Sequence, residues 1–431
     1  MSVTWDRRRP SWIRAAQEKA LGRYMGRVVY PYSPYYRARF DEAGLGQRSV
    51  RSREDLTALP LTTVDDVDDP TALIVRPDEH SIQQFGELSL VARVFWAKVW
   101  RREWTVNQRL IDPEYKPLHW HVQSGIPMGS SAEDLERLAE LGRRWLELAG
   151  VRPYDVLVSI HPFGPNLPYW ELVLGARRAG LSALYLPSSV TVEQIAAARP
   201  NVLAGRAGDL LRLLEAADGT DALAELHTLL VTGDRLEDGT RRQLAAHLPA
   251  PDAAVVSAWA PPGVRALWAE CRFGEGLHTA PDTEVIEIID PLSGVVLNRA
   301  GDGEVVWTSL GWKGTVFVRL RTGVYGTLDE STCGACGRST PRLRLAGAEP
   351  PFARILNSHP DVSTWQAELR TVDGHEELVV FLTTTANGHP GHVLRELDRH
   401  LSVTQFVVLD RRSLESRLAE HDDRRVVDLR G

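Results

Sequence analysis

The sequence predicts an α/β protein: a large N-terminal domain with parallel α/β sheets and an antiparallel β-meander, plus a small C-terminal α+β domain. Three observations predict it. From Asp155 to Ala258 short apolar runs alternate with helical stretches, as in a parallel sheet with right-handed crossovers. Glu284–Asp290 and Gly303–Thr308 read as strands of one antiparallel meander. A chain of 431 residues is also too long for one ordinary core. The expected division is 1–346 (1–115 a helical preamble, 116–263 the α/β core, 264–346 the meander) and 347–431, the small domain.

Composition excludes several classes. The net charge of −7 is spread with both signs mixed, so no basic stripe suits nucleic acid and no polybasic cluster suits a membrane surface. The charged segment Met1–Arg9 is followed by no apolar stretch of signal or membrane-spanning length. Three cysteines are too few, and odd in number, for a disulfide framework. The expectation is a cytoplasmic globular protein.

In chain order, an amphipathic run from Trp12 to Tyr24 precedes turn chemistry at Pro31–Tyr36, a second run from Arg37 to Gly44, and Ser52 with Asp55 three residues on, close to a capping box. The acidic group Asp65, Asp66, Asp68 and Asp69 lacks the glycine and spaced oxygens of a calcium loop, and reads as a solvated helix start. Trp96, Trp100 and Trp104 recur every fourth residue, as on one helical face. His119–Gln123 reads as a short strand that runs into a Gly/Ser-rich loop with Ser124, Gly125, Gly129, Ser130 and Ser131, before a helix from Ala132 to Leu148. Such a loop presents free amides to an anion. A linker that caps the helix accounts for the same residues.

The core strands are expected at Asp155–Ile160, Ser182–Leu186, Val202–Ala204, Thr228–Thr232 and Ala254–Ala258, with helices at Leu172–Ala179, Val192–Ala198, Gly208–Ala217 and one ending at His247. Ligands of parallel sheets sit beyond the carboxyl ends of the strands, which points to His161–Asn166, Thr232–Arg235 and Trp259–Gly263.

All three cysteines flank the meander, as Cys271 with His278 and as Cys333-Gly-Ala-Cys336. Three thiolates and an imidazole are the Cys3His set of a structural zinc, with no position left open for catalysis. The other reading makes Cys271 a small buried hydrophobe and Cys333 with Cys336 a redox pair.

Ser33-Pro-Tyr-Tyr-Arg37, Phe40-Asp-Glu-Ala-Gly44 and Glu54–Thr63, in that order, resemble the opening of the phenylacetate-CoA ligase branch of the adenylate-forming (AMP-binding, acyl/aryl-CoA ligase) superfamily. Gln123–Ser131 stands at the family's nucleotide loop, Gly233-Asp-Arg-Leu236 before its adenine site, and Trp259–Gly263 at its aromatic-Gly-x-Thr-Glu motif. Arg319-Leu-Arg-Thr-Gly323 is similar to its Tyr-x-Thr-Gly-Asp, and Cys333–Arg338 to the cysteine-bearing element of its zinc-containing members, with Cys271 and His278 as the other ligand pair. The resemblance implies ATP and Mg2+ as cofactors beside a structural Zn2+. It implies a nucleotide site at Ser124, Gly125, Gly129, Ser130, Ser131, Gly233, Asp234, Trp259, Thr322 and Gly323, and an acid pocket lined by His161 and Trp259.

The chain departs from the family at chosen points. The threonine and lysine of the nucleotide loop are missing, Gly263 and Val324 stand where acids are expected, and the acidic hinge is absent after Arg342. His421-Asp-Asp423 replaces the small domain's lysine, leaving His421 as the candidate substitute. Two functions follow. One is a ligase that activates a small aryl or acyl carboxylic acid with ATP for transfer to CoA, a carrier protein or another thiol or amine acceptor. The other is a binding or scaffold subunit for a biosynthetic partner.

Overall fold

A computed structural model describes residues 5–86 and 111–429, apart from 65, 68, 124–125, 234, 237, 250–252, 275, 291–292, 298–302, 346–352, 354–355, 357–358, 373–374, 386–387, 399–404 and 422–424. These residues fall into two units, Met1–Leu345 and Ala346–Gly431. Trp96, Trp100, Trp104, Asp65 and Asp68 lie outside the described residues.

The first unit opens with helices. Pro10–Tyr24 continues through a π-turn at Met25–Val29 and a turn at Tyr30–Tyr32, and Pro34–Glu42 follows. The expected turn at 31–36 is therefore helical on both sides of Ser33, whose side chain accepts from Tyr36 N and restarts the helix. Ser52 and Asp55 complete the capping box. Asp66 exchanges hydrogen bonds with Thr63, and Asp69 caps the turn Pro70–Leu73. These carboxylates are used for local backbone, in keeping with the helix-start reading.

Strands β1 (His119–Gln123) and β2 (Ile126–Ser130) form an antiparallel hairpin. The remaining strands of this unit are β3 (Val156–Ser159), β4 (Ser182–Tyr185), β5 (Val202–Gly205), β6 (Thr228–Thr232), β7 (Ala254–Trp259), β8 (Trp268–Glu270), β9 (Leu277–His278), β10 (Glu284–Ile289), β11 (Gly303–Ser309), β12 (Leu320–Asp329) and β13 (Arg342–Leu345). They make one eleven-stranded sheet in the order β10-β11-β12-β13-β9-β8-β7-β6-β5-β3-β4. β3 to β7 pair in parallel and the others antiparallel, with β8 as the first antiparallel neighbour of β7. The expected parallel sheet and meander are thus halves of a single sheet.

Apolar runs such as Val202–Gly205 and Thr228–Thr232 are buried along their whole length, as strands covered on both faces must be. Helices Ala132–Leu148 and Leu167–Ala179 pack against each other with Gly142 facing Gly175, where an added Cβ on Gly142 would lie 2.8 Å from Gly175 Cα. The second helix begins earlier than expected, because Asn166 caps it and Pro168 sits in its first turn. Trp145, Trp268, Trp307 and Trp312 are fully buried in this core.

In the second unit β14 (Val362–Val372) and β15 (His375–Thr384) pair antiparallel, flanked in parallel by β17 (Val426–Leu429) and β16 (Gln405–Val408). Helix Pro390–Asp398 supplies Val393 and Leu397 to a core with Trp365, Ala367, Val380 and Leu382. A second helix, Arg411–Glu420, was not anticipated, and of its residues only Leu414 is buried. Among the described residues no helix is long and apolar enough to cross a membrane.

Candidate functional site

Cys271 directly follows β8, His278 lies in β9, and Cys333 and Cys336 sit in the turn between β12 and β13. One ligand atom from each comes within 4.8 Å of all the others. His278 Nδ1 meets Thr340 Oγ1 at 3.2 Å, which leaves Nε2 facing Cys336 Sγ at 3.5 Å. Sulfur and nitrogen bound to one tetrahedral zinc at ordinary bond lengths lie about 3.6 Å apart. Cys271, Cys333 and His278 are buried, so the set is enclosed as a structural site requires. The donor set and spacing fit a tetrahedral metal.

A second constellation forms at the carboxyl ends of the parallel strands. His161 follows β3, and its Nδ1 lies 3.2 Å from Thr232 Oγ1 at the end of β6. Its Nε2 lies 3.1 Å from Asn166 Oδ1, which also accepts from Tyr169 N at 2.9 Å. Since that oxygen accepts, Nε2 carries the proton and Nδ1 accepts from the threonine hydroxyl. Burial, with help from the Arg206 charge, pushes the His161 pKa down to about 4, so the ring is neutral at physiological pH. Gly233 has φ +87° and packs on the imidazole, leaving only 2.7 Å from an added Cβ to His161 Cε1. Trp259 ends β7 half-buried, opposite Trp268 of β8.

The hairpin β1–β2 bridges these strand ends. Val122 N donates to Pro165 O. Gln123 Nε2 donates to Pro261 O at 3.1 Å, and Gly263 N donates to Gln123 Oε1 at 3.1 Å. The loops after β3 and β7 are thereby tied to one strand. Together with Thr232 and Gly233 they gather at the carboxyl ends of the parallel strands, the place where open α/β sheets bind ligands.

The expected Gly/Ser-rich loop needs correction. Gly129 and Ser130 belong to β2, and Ser131 caps the next helix through a capping box with Asp134. Gly129 N donates to Thr315 Oγ1 at 2.8 Å, and Ser131 N to Asp134 Oδ2 at 3.0 Å. Amides expected to face an anion are bonded within the protein instead. Ser124, Gly125 and Asp234, also expected at the nucleotide site, lie outside the described residues.

No family model matches the sequence. Over 346 residues the chain is 26% identical to a phenylacetate-coenzyme A ligase of Thermus thermophilus, spanning 77% of this chain and 69% of that protein. Over 328 residues it is 24% identical to a phenylacetate-coenzyme A ligase of Aromatoleum evansii, spanning 72% and 65%. Among solved structures, an open conformation of 2-hydroxyisobutyryl-CoA ligase in complex with 2-HIB-AMP and CoA matches 98% of this chain and 93% of its own, with a TM-score of 0.68 at 16% identity. The post-adenylation state of that ligase, in complex with R3-HIB-AMP, gives 0.67 at 15% identity over 97% and 94%. The fold is that of the adenylate-forming ligases. The sequence relatives support the same superfamily.

On this adenylate-forming fold the remaining expected residues sit as follows. Thr322 lies in β12, where its hydroxyl donates to Val305 O at 2.6 Å and accepts from Val324 N at 3.2 Å. Gly323 is exposed, and its N–H reaches Glu304 Oε1 at 3.3 Å. His421 closes the helix Arg411–Glu420 in the second unit, and its neighbours Asp422 and Asp423 lie outside the described residues.

Two framework residues had no assigned role in the sequence reading. Asp134 is fully buried and accepts from Ser131 N, Lys313 N at 2.9 Å and Gly314 N at 2.7 Å. Arg265 donates to Gly129 O at 3.0 Å, Thr315 O at 2.6 Å and Ser130 Oγ at 2.8 Å, with its guanidinium over the Trp312 ring. The Ser131–Asp134 spacing was the available signal for the first. Nothing local marks the second.

Proposed function

We propose that the chain is an adenylate-forming ligase. It would activate a small aryl or acyl carboxylic acid with ATP and pass the acyl group to CoA, a carrier-protein thiol or another thiol or amine acceptor. The observation that carries this is the convergence of His161, Thr232, Gly233 and the 261–263 turn beneath one hairpin, at the strand ends of an adenylate-forming fold. In this reading Trp259 lies against adenine, Gly233 and Asp234 border the nucleotide, and Thr322 and Gly323 stand near the ribose or α-phosphate. Ser124 and Gly125 take the phosphate-facing role that the family resemblance implies. His161 and Trp259 line the acid pocket. Magnesium would arrive on the triphosphate, because Gly263 and Val324 supply no carboxylate to hold it.

Cys271, His278, Cys333 and Cys336 hold a structural zinc, remote from catalysis because all four positions are filled by protein. The chain divides functionally at 346/347, and we assign it to the cytoplasm on its unpaired cysteines.

A second reading has a specific observation behind it. The amides of Gly129 and Ser131 are already bonded, and a neutral His161 offers no positive charge to phosphate. An adenylate-forming fold with these features would serve as a binding subunit for a biosynthetic partner. Calorimetry with ATP and Mg2+ separates the two: saturable binding supports the ligase, and no heat with a folded protein supports the binding subunit.

A further inference from the structure

Alternation along β1 turns Trp120 and Val122 outward, 41% and 42% exposed, and turns His119, His121 and Gln123 toward the protein. Gln123 uses both ends of its amide on the turn after β7. His121 is 1% exposed, and both of its ring nitrogens lack a partner among the described residues. His119 stacks beside it, with ring centroids 6.4 Å apart and planes 26° apart, and its Nε2 is also buried without a partner among those residues. Native proteins satisfy nearly all buried polar groups, so such atoms on one strand face mark a place where something else is meant to bind.

The surroundings narrow its chemistry. His119 meets the Trp170 ring edge-on at 4.5 Å, and Trp170 continues into Tyr169, which touches both Phe163 and Tyr185. This aromatic wall suits a planar ring. Burial and the nearby Arg265 charge keep His121 neutral. A neutral imidazole has one N–H and one lone pair, and a hydroxyl can answer whichever of the two faces it, as acceptor or as donor, whereas a carboxylate can only accept. Among the described residues no third His, Cys, Asp or Glu joins the two imidazoles, the one cluster of three or more such ligands there being the Cys3His set.

We propose that His119 and His121 form the selective end of the acid pocket and choose an aromatic acid that carries a ring hydroxyl. The inference rests on the adenylation reading, which brings the carboxylate to the neighbouring strand ends. Gln123, fixed at both amide ends, holds β1 in register so that the imidazoles face the ring.

The test is calorimetry on the full-length chain with matched pairs of benzoic and phenylacetic acids, with and without a ring hydroxyl, run beside pyrophosphate release on the same pairs. Hydroxylated acids should bind about 10- to 100-fold more tightly. His121→Leu should abolish that gap and raise the melting temperature by roughly 2 °C, because an unmet polar group leaves the core. His121→Asn, which keeps a donor and an acceptor, should retain part of the gap and serves if the leucine variant fails to fold. Equal binding of each pair by the wild type, or a gap unchanged in both variants, overturns the inference while any pyrophosphate release leaves the ligase standing. Selective binding without pyrophosphate release does the reverse, and no binding of any acid overturns both.

Discussion

Replacing Cys333 with serine removes one of four ligand atoms that lie within 4.8 Å of one another, and it does so at a position only 1% exposed, where no water stands in readily. A serine hydroxyl is a poor zinc ligand, so the loss should exceed the ~10- to 100-fold in affinity that follows removal of an outer-shell partner. A metal held by this set would link β9 to the turn between β12 and β13, and its binding free energy would add to folding. With zinc at about a thousand times its Kd, the linkage is worth about 4 kcal/mol. At roughly 2–4 °C per kcal/mol, the melting temperature should fall by about 8–16 °C. Metal analysis and scanning calorimetry of protein expressed with zinc, before and after chelation, measure both quantities. Thr340→Val, which removes only the partner of His278 Nδ1, should give the same effects at smaller size. Wild-type protein without stoichiometric metal, or a Cys333→Ser protein with undiminished metal, would refute the reasoning.

Gly233→Ala forces a side chain into a φ of +87° and against His161, so it should cost about 1–3 kcal/mol in chemical denaturation and weaken acid binding; unchanged stability and binding would remove the contact from the account. His161 has a folded pKa of about 4 against 6.5 for the free side chain, so the folded state binds fewer protons between those values and stability falls as pH drops from 6.5 to 4. That loss is on the order of 3 kcal/mol, and His161→Gln should flatten the corresponding part of a stability-versus-pH curve. Asp134→Ala strands three backbone N–H donors and the buried Arg265, and should cost about 3–5 kcal/mol; a loss below 1 kcal/mol would show that water replaces the carboxylate.

Legibility followed the range of the interactions. β3 to β7 were readable because runs such as Thr228–Thr232 are buried throughout, and the Cys271, His278, Cys333 and Cys336 set was readable because ligand chemistry survives any spacing between its halves. β2 was not, since Gly129, Ser130 and Ser131 carry loop-forming side chains. What makes Gly129 a strand residue is pairing with β1 and a hydrogen bond to Thr315, 186 positions away. Gln123 shows the same limit: its partners Pro261 and Gly263 follow a strand that only the fold brings near. Helix Arg411–Glu420 is not legible in the sequence, because with Leu414 as its buried residue it shows no broad apolar stripe. The strand-end rule brings His161, Thr232 and Gly233 into one neighbourhood, while the state of these groups, a neutral His161 and bonded amides at Gly129 and Ser131, depends on burial that no local pattern reveals.

Pyrophosphate release from ATP with a panel of aryl acids, Mg2+ and CoA tests the central claim most directly. The ligase account predicts acid-dependent release that is slow, because one missing preorganised donor typically costs about a hundred- to a thousandfold in rate, and Gly263, Val324 and His421-Asp-Asp423 stand where the resemblance leads one to expect acids and a lysine. It also predicts that His421→Ala leaves the rate within about twofold if His421 does not take the lysine's place, and lowers it about a hundredfold or more if it does. No acid-dependent pyrophosphate from folded, metal-replete protein with any acid of the panel would contradict the ligase account.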